Sequence, residues 1–335
     1  MKKKHFNIPI FIPEVACPFQ CLYCNQQKIS GQLHVPGKDE IINTIEDYLS
    51  TMPVEDADIQ LAYFGGNFTG INTEDQEHYL QLVQPYIERG KISGIRLSTR
   101  PDYINNEILD MLKKYHVKAI ELGAQSMDEK VLKLSQRGHT AFDTKNASRM
   151  IKEYDFELGL QMMIGLLGDS FEKAMYTAKR IVELGASNTR IYPTLVIKDT
   201  HLEKMYQEGE YKPLDLGEAI SWSKELVKVF EHGNVNILKL GLHPSEGLLS
   251  GEDLIAGPFH RSFRELVMTE IWNEILEPLN GKEGKRIEIL VAPNQVNFAV
   301  GYKGINRKLL EERYESVKFR IDSNLNNREF SVLYN

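Results

Sequence analysis

Short apolar runs alternate with amphipathic helical stretches through the first two-thirds of the chain, and that alternation restricts the fold more than any other feature. The runs are His5–Ile12, Ile59–Phe64, Gly94–Thr99, Ala119–Ala124, Leu158–Ile164 and Thr189–Leu195. Between them lie the helical patterns Asp39–Thr51, Thr73–Arg89, Asn105–Tyr115, Asp143–Tyr154 and Ser170–Leu184. Near-continuous apolar strands separated by helix-length crossovers predict a parallel sheet with helices outside it. Right-handed crossovers curl such a sheet into a barrel or partial barrel. Active sites of these barrels gather at the C-terminal ends of the strands. Polar motifs fall at those ends: GGN after the second run, STRPD after the third, GAQS after the fourth and GLLG after the fifth.

After Leu195 the pattern changes. Gly209–Leu214 reads as a loop, Gly217–Glu231 as a helix, Val235–Leu240 as a strand and HPSEGLLSGED as a polar loop. Pro258–Leu279 is strongly helical, and NGKEGK at 280–285 is a Gly/Lys-rich linker that marks the best domain boundary. The expected plan is α/β: a partial (β/α)6 TIM-type barrel over 1–240, a helical connector over 241–280 and a small α/β appendage over 281–335. The appendage holds ten Lys/Arg against seven Asp/Glu, a net of +3, which leaves −10 on the rest of a chain whose total is −7. A basic tail on an acidic body points to an anionic partner for the tail. No run of about 18 apolar residues exists, so no membrane partner is expected. MKKK before FNIPIFIPEVAC imitates a lipoprotein signal, but Asn7, Pro9, Pro13 and Glu14 interrupt it.

The three cysteines lie in ACPFQCLYC, at Cys17, Cys21 and Cys24. An odd count within eight residues of a 335-residue chain excludes a disulfide scaffold and fits a reducing, cytoplasmic setting. Three thiolates this close converge on one centre only through an irregular loop, and Pro18 keeps that loop from becoming helical. Zinc would want a fourth ligand, for which His5 and His34 are candidates. A 4Fe–4S cluster with three protein ligands leaves one iron open, and an open iron can chelate the amino and carboxylate groups of S-adenosylmethionine.

The spacing C-x3-C-x2-C, with Tyr23 before the last cysteine, resembles the signature of the radical S-adenosylmethionine superfamily. Along residues 5–240 the chain resembles, more narrowly, the catalytic subunit of Elongator and its bacterial Elongator-like relatives. The stretches that carry this are YFGGNFTG, STRPDYIN, ELGAQSMDEKVLKLSQRGHT, MMIGLLGD and RIYPTLVIKDT. The resemblance implies that Cys17, Cys21 and Cys24 hold the cluster and that Tyr23 packs near the cofactor. Gly65, Gly66 and Asn67 would bond the amino group of S-adenosylmethionine, with Asn67 standing where many members carry Glu. Ser98 replaces the Glu of the usual ETRPD and would bond a ribose hydroxyl. Arg100 would hold a carboxylate or pair with Asp102. Gln125 would serve the ribose or methionine part, and Arg137 the cofactor carboxylate. His139 would transfer protons or be structural. Gly165 and Gly168 would let the sulfonium and adenine pass, and Ile191–Tyr192–Pro193 would offer backbone groups to adenine. A one-electron donor of the flavodoxin or ferredoxin type is implied. With no fourth cysteine, a second cysteine-held cluster is excluded, which argues against sulfur insertion of the methylthiotransferase kind.

In the tail, Ile287–Val291 and Val317–Ile321 read as strands, and Gln295–Val300 and Asn306–Arg313 as helices joined by Gly301–Tyr302–Lys303–Gly304. This is similar to a KH domain, in which a GxxG loop between helices clamps a nucleic-acid backbone. Gly301, Tyr302, Lys303, Gly304 and Arg307 are the candidate contacts, with Lys308 adding charge. The alternative is a small structural appendage. The expected function is radical modification of RNA, most simply of a tRNA base; the competing expectation is a small metabolite or peptide substrate, with the tail as a lid or dimerisation element. Elongator's acetyltransferase domain has no counterpart in these residues, so carboxymethyl transfer from acetyl-CoA is not expected to carry over.

Overall fold

The computed structural model describes residues 4–13, 21–31, 34–242, 245–280 and 284–334, so Cys17, Pro18 and Glu14 lie outside the described residues. Strands β1 (Lys4–Phe11), β2 (Ala57–Phe64), β3 (Gly94–Thr99), β4 (Val117–Gln125), β5 (Glu157–Ile164) and β6 (Asn188–Pro193) pair in sequence order. After the short β7 (Val196–Ile197), strand β8 (Asn236–Leu240) pairs parallel with β6. The result is a seven-stranded parallel sheet curled into a partial barrel with helices outside it. The seventh strand extends the six-strand expectation: the helix Leu216–His232 is one more crossover, and it returns the chain to the open edge.

One expectation about the strands needs correcting. They are not apolar throughout; they alternate. The rows facing the helices, such as Ile59, Leu61 and Tyr63 or Leu158, Leu160 and Met162, join the main hydrophobic core. The opposite rows carry Arg96 and Ser98, Glu121, Gln161, Arg190 and Tyr192, and several of these bond to one another across strands. Two periodicities were superimposed, because the apolar row dominates the average of any short window.

The helices begin on side-chain caps: Asn72, Asn105, Ser170 and Thr200 accept from their third-residue N–H, and Thr140–Asp143 and Asp215–Glu218 form reciprocal capping boxes. Beyond β8, helix Glu246–Ser250 leads to β9 (Leu254–Ala256), which pairs antiparallel with β7. Leu195, Ile197 and Leu248 share a small core with Ile29 and Leu254. The first half of the expected helical connector therefore packs on the helix that leaves the cysteine loop.

Helix Phe263–Asn280 then carries the tail: β10 (Gly284–Val291), helices Val296–Val300 and Ile305–Glu311, β11 (Tyr314–Ile321) and β12 (Phe330–Tyr334). The sheet order is β11-β10-β12, with β10 parallel to β11 and antiparallel to β12. Trp272, Leu276 and Leu279 of the long helix lie in the same core as Ile287, Ile289 and Leu310. Trp272 Nε1 donates to Gln295 Oε1 at 3.0 Å, which satisfies the indole in that core.

Candidate active site

The cysteine loop leaves β1 at the C-terminal end of the barrel. Its second half is held by backbone bonds: Leu22 N donates to Ser135 O at 3.2 Å, Leu202 N to Leu22 O at 2.8 Å and Cys24 N to Cys21 O at 3.0 Å. Cys21 is 4% exposed, and Arg137 Nη1 lies 3.4 Å from its Sγ. Arg137 Nη2 donates to Gly123 O at 3.0 Å, so the guanidinium bridges the cysteine loop and the end of β4. The absence of a side chain at Gly123 is required, since a Cβ there would meet Arg137 Nη2 at 2.8 Å and Gln125 Nε2 at 2.9 Å. Gly65 has φ +100°, and a Cβ would meet Ile12 O at 2.5 Å, so the turn after β2 lies directly against the chain entering the cysteine loop. The two histidines considered for zinc are engaged elsewhere. His5 bonds Asp58 at 2.9 Å and Asn7 at 3.1 Å near the start of β1, and His34 bonds Glu40 at 3.0 Å.

Several candidates are committed to the frame. Asn67 is buried, and its Oδ1 accepts from Thr99 Oγ1 at 2.7 Å and Arg100 N at 3.3 Å. Arg100 is fully buried, clamps Asp102 through Nε at 3.0 Å and Nη2 at 2.8 Å, and donates from Nη1 to Arg137 O at 2.9 Å. Of its two expected roles, the Asp102 pair is the one present, and it fixes the backbone that carries Arg137. Ser98 Oγ accepts from Gln161 Nε2 at 3.2 Å. His139 Nε2 donates to Ala124 O at 3.2 Å. Burial, then the positive charges of Arg137 and Arg100, push the His139 imidazole down to about 3, so it is neutral at physiological pH and donates no proton through an imidazolium.

The Radical SAM superfamily profile matches residues 12–181, and the Radical_SAM C-terminal domain matches residues 187–273. The chain belongs to the Radical SAM superfamily. It is a radical SAM enzyme. It is 30% identical over 192 residues to a tRNA uridine(34) acetyltransferase of Methanocaldococcus infernus, covering 50% of this chain and 36% of that protein. It is 30% identical over 147 residues to Elongator complex protein 3 of Schizosaccharomyces pombe, covering 43% of this chain and 27% of the other. The solved Elp3 structure from Methanocaldococcus infernus shares the fold with a TM-score of 0.65 at 21% identity, over 83% of this chain and 64% of that one. The chain spans 36% to 63% of the length of the first curated relatives it matches.

The superfamily uses a 4Fe–4S cluster and S-adenosylmethionine, and the residues around Cys21 suit polar guests. Tyr23 Oη, Gln125 Oε1, Ser135 Oγ and His139 Nδ1 are buried without a hydrogen-bond partner. Each such atom costs about 1–3 kcal/mol when nothing meets it. Gln125 also stands at φ +63°, a strained torsion for a residue with a side chain. Burial raises the Tyr23 phenol well above its ordinary value, against the opposing charge of Arg137. Opposite, Gly165 at φ +74° begins the GLLGD turn, which is held by Gly165 N donating to Asp169 at 2.9 Å and by Tyr211 OH donating to Gly165 O at 2.6 Å. Burial pushes the Asp169 carboxyl up to about 6, although the N–H groups of Gly165 and Ser170 oppose it. Asp169 and Tyr211 escaped the sequence reading; their signal was only that a carboxylate follows a glycine turn. Tyr192 is on the lumen row of β6, its phenol raised by burial.

In the tail, Gly301–Gly304 joins the two short helices. Gly301 at φ +84° is pressed against Asn306 N and Thr269 Cγ2, each 3.0 Å from a would-be Cβ, whereas Gly304 at φ +74° faces open space. Tyr302 N donates to Thr269 Oγ1 at 2.8 Å, and the Tyr302 ring sits edge-on to His260 at 5.4 Å. Tyr302 therefore anchors the loop to the long helix, while Lys303 and Arg307 are exposed. Beside them runs a groove of about 260 Å³ with Val296, Val300, Val317 and Phe319 along it and Arg307, Lys318 and Arg320 also lining it. Lys318 and Arg320 were not singled out in the sequence, because strand residues declare their partner helices only after folding.

Proposed function

We propose that Cys17, Cys21 and Cys24 hold a 4Fe–4S cluster, with S-adenosylmethionine beside Arg137, Gln125, Gly65 and Gly66, and that the enzyme modifies a base in tRNA. When bound, the pair supplies reductive one-electron cleavage of S-adenosylmethionine, fed by a flavodoxin- or ferredoxin-type donor. The chain's own part is positioning. Arg137, fixed through Arg100 and Asp102, presents its guanidinium at the cysteine loop. The Gly65 and Gly165 turns let backbone approach a ligand closely, and the buried mouth excludes water. His139 acts as a neutral acceptor, with Nδ1 bare.

The observation that carries the RNA reading is the tail: a GxxG loop between two helices, beside a groove lined by both apolar residues and the cations Arg307, Lys318 and Arg320. A GxxG loop is what a KH domain uses to clamp a nucleic-acid backbone, which supports the reading. Relatives named as tRNA uridine(34) acetyltransferases support a tRNA target. The test is filter binding of tRNA at two salt concentrations. Lys303→Asp combined with Lys318→Asp is the suitable variant, since Tyr302 is needed for packing. Wild-type binding should weaken as salt rises, and the variant should bind several-fold less with a shallower salt dependence. Equal affinity of the two proteins would remove the RNA clamp.

A further inference from the structure

A group of charges deeper in the barrel takes no part in the cofactor reading. Glu121 on β4 is 1% exposed. Its Oε1 accepts from Arg96 Nη1 at 3.1 Å and Arg190 Nη2 at 3.1 Å; its Oε2 accepts from Arg190 Nε at 2.5 Å and Gln161 Nε2 at 3.1 Å. A Cβ at Gly159 would meet Glu121 Cγ at 2.8 Å, so that glycine makes room for the carboxylate. Both oxygens are saturated, yet one carboxylate faces two guanidiniums. Arg96 has a second acidic neighbour in Glu157 at 3.4 Å. Arg190 has no second carboxylate among the described residues. Instead, its register partner on β8 is Lys239, another cation.

Among the described residues no hydrogen bond or ion pair takes the Lys239 ammonium. Its charged neighbours are Arg190, Glu265 and Arg264, the last two exposed on the long helix. Burial, then Arg190, lowers the Lys239 ammonium from its ordinary value. The space is reachable. Ser98, Gln161, Met163, Arg190, Tyr192 and Lys239 are all partly accessible, while their helix-facing neighbours Leu160, Met162 and Ile191 are at 0%. A sealed barrel interior would be filled with branched apolar residues. This one keeps polar residues, and its cations Arg96, Arg190 and Lys239 outnumber the carboxylates Glu121 and Glu157 paired within it.

We infer that the lumen between Arg190 and Lys239 binds an oxyanion of the molecule acted upon, a carboxylate or phosphate. The guanidinium, held by its two bonds to Glu121 and 5.0 Å from the Phe64 ring centroid, offers a fixed donor plane, and the ammonium offers a movable point charge. Arg190 precedes Tyr192 on β6 and so lies one layer below the strand ends that carry Gln125 and the Arg137 contact. The anionic end of the substrate therefore goes in first, with its reacting carbon toward the mouth. This inference needs the barrel and its open lumen; it does not need the tail to bind RNA.

Inorganic phosphate is the probe, used on the anaerobic, cluster-loaded full chain. Equilibrium dialysis should find one saturable phosphate site per chain, and the thermal midpoint should rise with phosphate over chloride at equal ionic strength. Lys239→Met should weaken phosphate binding about tenfold or more, since a charge-assisted bond is lost, and Lys239→Arg should restore part of it. Phosphate binding unchanged in Lys239→Met overturns the inference. So does competition between phosphate and S-adenosylmethionine, because the oxyanion would then be the cofactor's own carboxylate. The source is read separately: an RNA oligonucleotide displaced by phosphate and weakened by Lys239→Met assigns the oxyanion to an RNA phosphate, whereas unchanged RNA affinity assigns it to a small anionic substrate.

Discussion

At the barrel mouth Arg100 is 0% exposed and Arg137 is 8% exposed, whereas in the tail Arg307 and Arg320 have side chains 53% and 58% exposed. The same residue type is used in two ways. The mouth arginines are locked by several acceptors, and their value is geometry. The tail arginines each have one surface partner, Glu311 at 2.9 Å or Glu288 at 3.0 Å, which water and salt screen. Such cations can exchange a carboxylate for a phosphate at little cost. A rigid site suits one small cofactor; an adaptable one suits a flexible polyanion.

The widest separation between the regions should appear at Glu121. Glu121→Leu leaves Arg96 and Arg190 buried without their shared carboxylate, and urea unfolding should show a loss of about 3–5 kcal/mol. A loss below about 1 kcal/mol would show that water already compensates those guanidiniums. Burial alone would raise the Glu121 carboxyl, but Arg190 and Arg96 outweigh it and hold it below its usual range.

Two glycines at positive φ, Gly304 and Gly65, give the next contrast. Gly304→Ala meets open space and should cost about 1 kcal/mol, the torsional strain alone. Gly65→Ala adds a clash with Ile12 O and should cost more than about 2 kcal/mol, with lowered iron content after anaerobic reconstitution. Equal costs would mean that the mouth yields as readily as the tail.

His139 sharpens the comparison through pH. Its folded value of about 3 lies below the unfolded value of 6.5, so the unfolded chain binds the proton first. Its contribution is complete above about pH 6.5 and is lost as pH falls toward 3, at about 1.4 kcal/mol per unit. His139→Gln keeps a donor for Ala124 O without this titration. Between pH 7 and pH 5 the variant should lose about 2 kcal/mol less than wild type in urea unfolding. Identical pH profiles would place a protonated imidazole in the folded protein.

The smallest effect belongs to the tail. Arg307→Ala removes an exposed pair and should change stability by no more than about 1 kcal/mol, while tRNA binding falls. A large stability loss there would make the tail as structural as the mouth.

Much of this was legible beforehand. All six expected barrel strands begin and end within two residues of where they lie, because strands buried under helices must be apolar on one row and turns must carry polar residues. Thr189–Leu195 ended early, at Pro193, where the chain turns out of the sheet. The helix His201–Gln207 was missed: it is a seven-residue stretch, too short for periodicity to declare itself. The strand Phe330–Tyr334, which pairs antiparallel with β10, was missed.

The sequence by itself determined the alternation, the cysteine spacing and the GxxG between two helices, since each is local: a few neighbouring residues impose the torsions or the ligand set. Only the tertiary structure decided what Arg100, Asn67, Glu121 and Lys239 do. Glu121 meets Arg190 across 69 positions of sequence, and Arg100 reaches the Arg137 carbonyl across 37. An isolated Arg, Asn, Glu or Lys reads as a solvated surface residue. It becomes a strut, or a cation in want of an anion, when the curl of the sheet closes a low-dielectric space around it and fixes which partners remain in reach.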